Sequence, residues 1–257
     1  MPLLRNGRLR KRWRYVGVYS EEVMLCAAKV EVGPLPHSFW AVWDRGGGGR
    51  YGHTRMLPGG SAVEMDGSSV RLRAGQVRAD LELGPGEAIE SACPSGEGGY
   101  GWTRKRAGIE TSGTIEAGGK SWRIEGACGV DDVSAGYHQR HTDWLWSAGV
   151  GTSSDGNAVA WNLVSGINDP PRGSERAIWI DGFPHEPEPV CFDGLAGVEL
   201  ADGSRLAFSA ESERARNDNF LVFRSRYRHQ FGTFSGALEG VELASGFGVM
   251  EQHSAVW

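Results

Sequence analysis

Short runs of alternating apolar and polar residues, separated by turn residues, dominate this chain. Alternation with a period of two predicts half-buried β-strands, and their spacing of roughly 8–12 residues is typical of a sandwich or barrel. No segment keeps a 3.6-residue period between caps, so we expect very little helix. The predicted strands are Trp13–Ser20, Val23–Val32, Ser38–Asp44, Val70–Arg73, Val77–Leu83, Thr111–Glu116, Ser121–Ala127, Trp144–Val150, Ala158–Val164, Ala177–Asp181, Arg205–Ser209 and Phe220–Tyr227.

Glycine pairs mark the turns between these runs, at Asp66-Gly67, Gly118-Gly119, Asp155-Gly156 and Asp202-Gly203. Such pairs tolerate positive φ angles and suit two-residue hairpins. The prediction is therefore an all-β fold of lipocalin-like antiparallel barrels, or a two-barrel or sandwich arrangement. A change in composition divides the chain into 1–127, rich in charged hairpins, and 128–257, rich in aromatic residues. These are two domains or two halves of one continuous unit.

Composition adds a ligand hypothesis and removes several partners. The 257 residues include 39 Gly and 10 Trp, and tryptophan at this level indicates a large aromatic surface in a core or around a ligand. A net charge of −5 gives no overall attraction for nucleic acid or anionic membranes. The segment 1–14 is nevertheless basic and without acid, and either contacts phosphate or folds against the acidic body. No signal peptide or apolar run of ~20 residues is present, which predicts a cytoplasmic protein without a transmembrane segment.

Several familiar chemistries lack their motifs. The four cysteines are far apart in sequence and predict small buried residues rather than a zinc site. Two glycine patterns, at 47–52 and 96–101, match a dinucleotide fingerprint but do not open a helix. There is no phosphate-binding loop, nucleophile elbow or zinc-protease motif. We therefore expect neither a cofactor nor a bound metal.

The segment 131–149 concentrates acids, histidines and tryptophans. In an extended strand, residues of equal parity share a face, so His138 and His141 point apart and cannot chelate one metal ion. The alternative is a pair of core tryptophans with polar surface groups. The candidates for proton transfer here are Asp132, His138 and Asp143. The candidates for ligand contact are Tyr137, Arg140, Trp144 and Trp146.

The segment 161–181 places single polar residues among large apolar ones, as expected of a cavity wall or of hydrogen-bonded structural groups. Its ligand-binding candidates are Trp161, Asn162, Trp179 and Asp181. Nearby Arg172, Glu175 and Arg176 indicate a surface ion-pair set of little energetic weight, with an arginine reaching over a cavity as the alternative.

The C-terminal segment supplies the remaining candidates. In a strand, Glu251 and His253 share one face, and a carboxylate beside an imidazole raises the basicity of the imidazole, as in an acid–base pair. Two surface residues are the alternative. Arg224, on a neighbouring aromatic run, is a further candidate for ligand contact.

Long motifs carry a resemblance to a known family. They are RYVGVYSEEVMLCAAKVEVGP with HSFWAVWDR, AGYHQRHTDWLWSAGVG with WNLVSGINDPPRGSER, and FRSRYRHQFGTFSGALEG with GVMEQHSAVW. With these the chain resembles the bacterial family "domain of unknown function 2804" over nearly its whole length. That description implies no activity and no catalytic residue. In strand pattern and tryptophan density alone, the chain is also distantly similar to the lipocalin-like (calycin) carotenoid hydratases and tocopherol cyclases, which implies paired barrels around an isoprenoid-sized cavity.

These observations lead to three hypotheses. The first is a cofactor-independent isomerase, cyclase or hydratase that acts on an apolar small molecule in a tryptophan-lined cavity, where acids and bases move protons. The second is a carrier or sensor with the same cavity and no chemistry. The third is a structural module whose tryptophans form a filled core. Neither the oligomeric state nor the face that lines the cavity follows from the sequence.

Overall fold

The computed structural model describes residues 1–56, 61–219 and 224–256, with the side chain of Ala127 left out. These residues form strands and turns without a helix, which confirms the all-β prediction. They contain no helix that could cross a bilayer. The first part of the predicted strand Phe220–Tyr227 lies outside the described residues.

The strands make two large antiparallel, curled sheets and a small N-terminal ribbon of β1 (Leu4–Arg5) and β2 (Arg8–Leu9). Sheet one follows the order β6-β5-β4-β3-β13-β11-β9-β8-β7, and β10 and β12 also pair with the long strand β11. Its strands are β3 (Lys11–Tyr19), β4 (Val23–Val32), β5 (Leu35–Asp44), β6 (Gly49–Arg55), β7 (Val63–Asp66), β8 (Ser69–Ala74), β9 (Val77–Leu83), β10 (Ile89–Pro94), β11 (Tyr100–Ala117), β12 (Lys120–Ile124) and β13 (Ala127–Gly136).

Sheet two follows the order β17-β16-β15-β14-β22-β21-β20-β19-β18. Its strands are β14 (His141–Ser153), β15 (Ala158–Ser165), β16 (Ala177–Ile180), β17 (Phe183–His185), β18 (Cys191–Phe192), β19 (Gly197–Glu199), β20 (Arg205–Asn219), β21 (Arg224–Leu238) and β22 (Val241–Val256). Because β13 pairs with β3 and β11, the chain passes from one sheet to the other at 137–140. The sheet boundary therefore lies about ten residues after the 127/128 division drawn from composition.

Two-residue hairpins connect many neighbouring strands. Gly118-Gly119 joins β11 to β12 as predicted, since Ala117 pairs with Lys120. The pair Asp181-Gly182 joins β16 to β17 in the same way, with φ angles of 49° and 83°. Two positive φ angles are what a type I′ hairpin requires. Asp181 is thus a turn residue rather than the end of a strand.

The central strands are buried on both faces, and the two faces serve different cores. In β4, Leu25 and Ala27 pack on the inner face of sheet one, whereas Met24, Cys26 and Ala28 face sheet two. Each curled sheet encloses its own apolar cluster, and a third cluster lies between the two sheets. Double-sided burial explains why the sequence VMLCAA is continuously apolar.

The inner face of sheet two is built around Trp161, which is fully buried. Its indole lies over Gly149, where an added Cβ would come within 2.2 Å of a ring carbon. Its Nε1 donates to Ser147 Oγ at 3.0 Å, and its ring meets Phe234 edge-on. Only glycine at position 149 leaves room for the indole, so this pair fixes the packing inside the sheet.

The basic N-terminal segment folds against the body of the protein. Arg8 donates to the carbonyl of Ser95 at 2.6 Å, and Arg14 pairs with the buried carboxylate of Asp131 at 2.8 Å. Among the cysteines, Cys26 and Cys93 are buried as expected, whereas Cys191 is exposed.

Candidate active site between the two sheets

The candidate site is a cavity of about 140 Å³ between the facing sides of the two sheets, and it is partly open to solvent. We call it the inter-sheet cavity. Its volume is below the ~300–1,000 Å³ of drug-sized pockets and close to the ~150 Å³ that holds one benzene ring. Six aromatic side chains form most of its wall: Trp13, Tyr15, Phe39, Trp144, Trp146 and Tyr227. The charged residues of its lining are Lys105, Asp132, Glu175, Arg214, Arg216, Asp218 and Glu251.

Strand register places one row of functional side chains across sheet two. Trp146 on β14 pairs with Glu251 on β22, which pairs with His229 on β21, which pairs with Arg214 on β20. Directly paired residues of an antiparallel sheet project to the same face, so these four side chains stand side by side. Trp144, His253, Tyr227 and Arg216 form a parallel row.

Sheet one presents a matching row. On one side, Tyr15 on β3 pairs with Ala28, Ala28 pairs with Phe39, and Phe39 pairs with Thr54. On the other side, Tyr15 pairs with Asp132, which pairs with Lys105. The rows touch at several points. The hydroxyl of Tyr15 lies 3.1 Å from Nε2 of His229, and its ring meets Trp146 edge-on at 5.2 Å.

Glu251 is a buried carboxyl with an unusual proton affinity. Its side chain lies in the aromatic wall, and Trp144 Nε1 donates to its Oε1 at 2.9 Å. Burial raises the pKa of Glu251 to about 7, and the hydrogen bond from Trp144 offsets only part of that effect. A carboxyl that is half-protonated near neutral pH is suited to give and to take protons.

The buried imidazoles next to Glu251 are neutral. Burial lowers the pKa of His253 and of His229 to about 3. His253 Nε2 lies 2.7 Å from Ser225 Oγ, and its ring packs against Trp144 at 4.2 Å between centroids. The expected rise in the basicity of His253 is not seen, because burial, followed by the charges of His37 and Arg214, lowers its pKa more than the carboxyls of Asp143 and Asp218 raise it.

A buried ion-pair group forms the opposite side of the cavity. Lys105 Nζ lies 2.6 Å from Asp132 and 3.3 Å from Glu175. Burial raises the pKa of both carboxyls, although Lys105 opposes it, and the two carboxyls together raise the pKa of Lys105 above its usual value despite its burial. Asn168 Nδ2 donates to Glu175 at 2.9 Å. This group holds a lysine positive inside the wall.

Arg214 crosses from sheet two to sheet one. Its guanidinium stands over the rings of Phe39 at 4.5 Å and Tyr227 at 5.1 Å, and its Nη2 donates to Thr54 Oγ1. The side chains of Arg214 and Tyr227 are each 8% exposed. Arg214 Nη1 has no hydrogen-bond partner among the described residues, and the Tyr227 hydroxyl faces the carboxyl of Glu251, to which it donates.

The inter-sheet cavity brings together five of the side chains that the sequence proposes. Asp132, Trp144, Trp146, Glu251 and His253 all line it. Parity predicted that Trp144 and Trp146 share a face, and likewise Glu251 and His253. The structure adds that the two pairs belong to neighbouring strands of one sheet.

Other proposed side chains are buried outside the lining. The ring of His138 is tilted against that of Trp13, with 5.5 Å between the ring centroids, and the Tyr137 hydroxyl donates to the carbonyl of Pro2. Trp161 lies on the inner face of sheet two, and Trp179 donates to the carbonyl of Glu87. Asn162 accepts from Trp146 Nε1 at 2.8 Å and so supports the wall from behind.

Four proposed residues are at the surface, away from the cavity. Arg140, Asp143, Asp181 and Arg224 are exposed. Asp143 lies 3.1 Å from exposed His141, and Asp181 accepts from the amide of Ala158 in its turn. Polar side chains at strand ends and turns project into water, so proximity in sequence to aromatic residues did not place them in the cavity.

Sequence reasoning missed Lys105, Glu175 and Arg214. The predicted surface set at 172–176 is wrong, since Glu175 and Arg176 are 3% and 1% exposed. Arg176 instead donates to the carbonyls of Asp169, Pro170 and Pro171. One pattern in the sequence could have indicated Lys105. Thr103 and Ala107, two residues before and after it, are small and share its face of the strand, which indicates that this face points inward.

A family model described as "Domain of unknown function (DUF2804)" matches residues 58–257. The chain belongs to this family. The match confirms the resemblance drawn from the central and C-terminal motifs, and the early motifs precede the matched range. Among curated proteins, none matches the chain.

Solved structures with the same fold are distant in sequence. Kievitone hydratase from Nectria haematococca shares 12% identity, with a TM-score of 0.62 over 94% of this chain and 88% of that protein. A candidate AttH protein from Nitrosomonas europaea shares 14% identity, with a TM-score of 0.55 over 95% of this chain and 92% of that protein. At these identities the likeness establishes the fold alone.

Proposed function

We propose that this protein is a cofactor-independent enzyme of the hydratase or cyclase type, acting on an apolar small molecule in the inter-sheet cavity. The observation that carries the proposal is Glu251, a buried carboxyl with a pKa of about 7 in an aromatic wall. The fold shared with a hydratase is consistent with it. The cavity volume fits one ring of a substrate rather than a whole isoprenoid chain.

Glu251 would act first as acid and then as base. Protonated Glu251 donates its proton to one carbon of a substrate double bond, and the π electrons of that bond form the new C–H bond. The neighbouring carbon becomes cationic beside the faces of Trp144, Trp146 and Tyr227. Water or a hydroxyl of the substrate then adds to that carbon and returns a proton to the Glu251 carboxylate. Addition of water gives a hydratase, and internal addition gives a cyclase.

A carrier or sensor is the second candidate, and a specific observation favours it. Several other ionisable groups that line the cavity already have partners: His253 hydrogen-bonds Ser225, Asp132 pairs with Lys105, and Arg216 pairs with Asp218. Glu251 would then be a neutral hydrogen-bonding group that orients a ligand. Replacement of Glu251 by glutamine would alter affinity only modestly in that case.

The test is turnover of a panel of unsaturated ring compounds in D₂O, followed by mass spectrometry. An enzyme of the proposed type adds water or solvent deuterium to a member of the panel. Glu251→Gln should lower that rate by about 10²–10⁴-fold, the usual contribution of a general acid–base. The matched control is Asp143→Asn, an exposed carboxyl outside the cavity, which should keep the wild-type rate. A Glu251→Gln variant with wild-type turnover would overturn the proposal.

A further inference from the structure

Arg214 is a cation that lines the inter-sheet cavity and has no ion-pair partner in the described part of the chain. The other arginines near the facing rows are paired, Arg216 with Asp218 at 2.6 Å and Arg14 with Asp131 at 2.8 Å. For Arg214, no carboxylate of the described residues lies within ion-pair distance. Its only described hydrogen-bond partner is a neutral hydroxyl, that of Thr54.

Leaving a guanidinium in this position is unfavourable for the empty protein. A buried charge loses its hydration and normally recovers that free energy from a counter-ion. Two aromatic faces and one hydroxyl replace only part of it. Nη1 of Arg214 is a buried donor without a partner among the described residues, and Arg214 lines the cavity.

We propose that Arg214 binds an anionic group of the ligand, so that the substrate is an apolar organic acid, with a carboxylate or an ionised phenol on a ring-sized apolar body. The proposal rests on the cavity being a ligand site, as in the proposed function. A guanidinium presents paired donors that match a carboxylate, and a hydrogen bond between ions is stronger than a neutral one.

The pairing also supports the proposed chemistry. An uncompensated guanidinium would oppose the positive charge that develops when Glu251 protonates a double bond. An anionic group bound to Arg214 neutralises this charge before the proton moves. The substrate would thereby complete the electrostatics of the site, and a neutral analogue would not.

Calorimetric titration with benzoate and with benzamide tests the inference, because the two molecules share a ring and differ in charge. For the wild-type protein we expect benzoate to bind at least about tenfold more tightly, the equivalent of one charge-assisted hydrogen bond. Arg214→Met should abolish this preference, because only benzoate loses a charge-assisted hydrogen bond. The control is Arg228→Met, an arginine paired with Glu213 outside the cavity, which should retain the preference.

Thermal unfolding of the empty protein gives a second readout that does not need a ligand. Because Arg214→Met removes an unpaired buried charge, the variant should be as stable as the wild type or more stable. Equal binding of benzoate and benzamide by the wild-type protein, or binding of neither, would overturn the inference even if the variant fails to fold. If Glu251→Gln loses deuterium transfer but the wild-type protein shows no preference for benzoate, the binding of an anion by Arg214 is refuted and the proposed enzyme activity is not. If the wild-type protein prefers benzoate but turns over no compound of the panel, the proposed enzyme activity is refuted and the binding of an anion by Arg214 is not.

Discussion

The inner faces of the sheets and the space between the sheets bury polar groups in opposite ways. On the inner face of sheet two, the indole of Trp161 donates to a serine hydroxyl and packs within a cluster of apolar side chains. Between the sheets, Glu251, His229 and Arg214 stand in one row, each removed from water. The inner faces therefore provide stability, whereas the facing sides keep ionisable groups at the cost of stability. This difference is the reason we propose the functional site between the sheets rather than inside either one.

The largest effect on stability should come from Trp161→Ala on an inner face. Removal of a fully buried indole leaves a cavity and should lower the free energy of unfolding by about 3–5 kcal/mol. Chemical denaturation measures this loss. A loss no larger than that of Trp144→Ala, made in the inter-sheet cavity, would contradict the division of roles.

Lys105→Met should come next, with a loss of about 3 kcal/mol at neutral pH, because it leaves two buried carboxyls without their cation. Their pKa values, already raised by burial, would rise further. Raised carboxyl pKa values remove stability as pH increases, so the loss should shrink on acidification. Denaturation at several pH values gives the result. Lys29→Met, at an exposed lysine, is the control, and a pH-independent loss in Lys105→Met would refute the role of the ion pairs.

Glu251 should give the wild-type protein a distinct pH dependence. Its pKa of about 7 in the folded state exceeds its ordinary value of 4.5, so folding takes up a proton between these values. The associated stability is present below pH 4.5 and disappears as pH rises through about 7, a change of about 3 kcal/mol. Glu251→Gln lacks this term. The difference in unfolding free energy between the two proteins should therefore grow towards alkaline pH in favour of the variant.

The smallest effect is expected at the surface. Asp143→Asn removes one partner of an exposed pair with His141, and such pairs contribute between zero and about 1 kcal/mol. The free energy of unfolding should stay within about 0.5 kcal/mol of the wild-type value. A larger loss would mean that this strand end contributes to the fold in a way that its exposure does not indicate.

Burial explains which strands could be predicted from the sequence and which could not. Strands such as Val23–Val32 were predictable because both faces are apolar. The long strands Tyr100–Ala117 and Arg205–Asn219 were predicted only in part, since their outer faces are polar and their hydrophobic period is weak.

The candidate site was predictable only within single strands. The period of two placed Glu251 and His253 on one face, but the rows that join Glu251 to Arg214, and Tyr15 to Lys105, each depend on register across three strands. Register is set by hairpins and long-range pairing, which one sequence does not reveal. Glu175 was unpredictable for a related reason, since only the tertiary fold brings the segment after Pro170-Pro171 to Lys105.

The most direct test of the central claim is infrared difference spectroscopy of the wild-type protein against Glu251→Gln from acid to alkaline pH. The account predicts a protonated carboxyl band that is absent from the variant and disappears with a midpoint near pH 7. A band that has already disappeared by about pH 5, as for an ordinary glutamate, would contradict the assignment of Glu251 as the proton-transfer group.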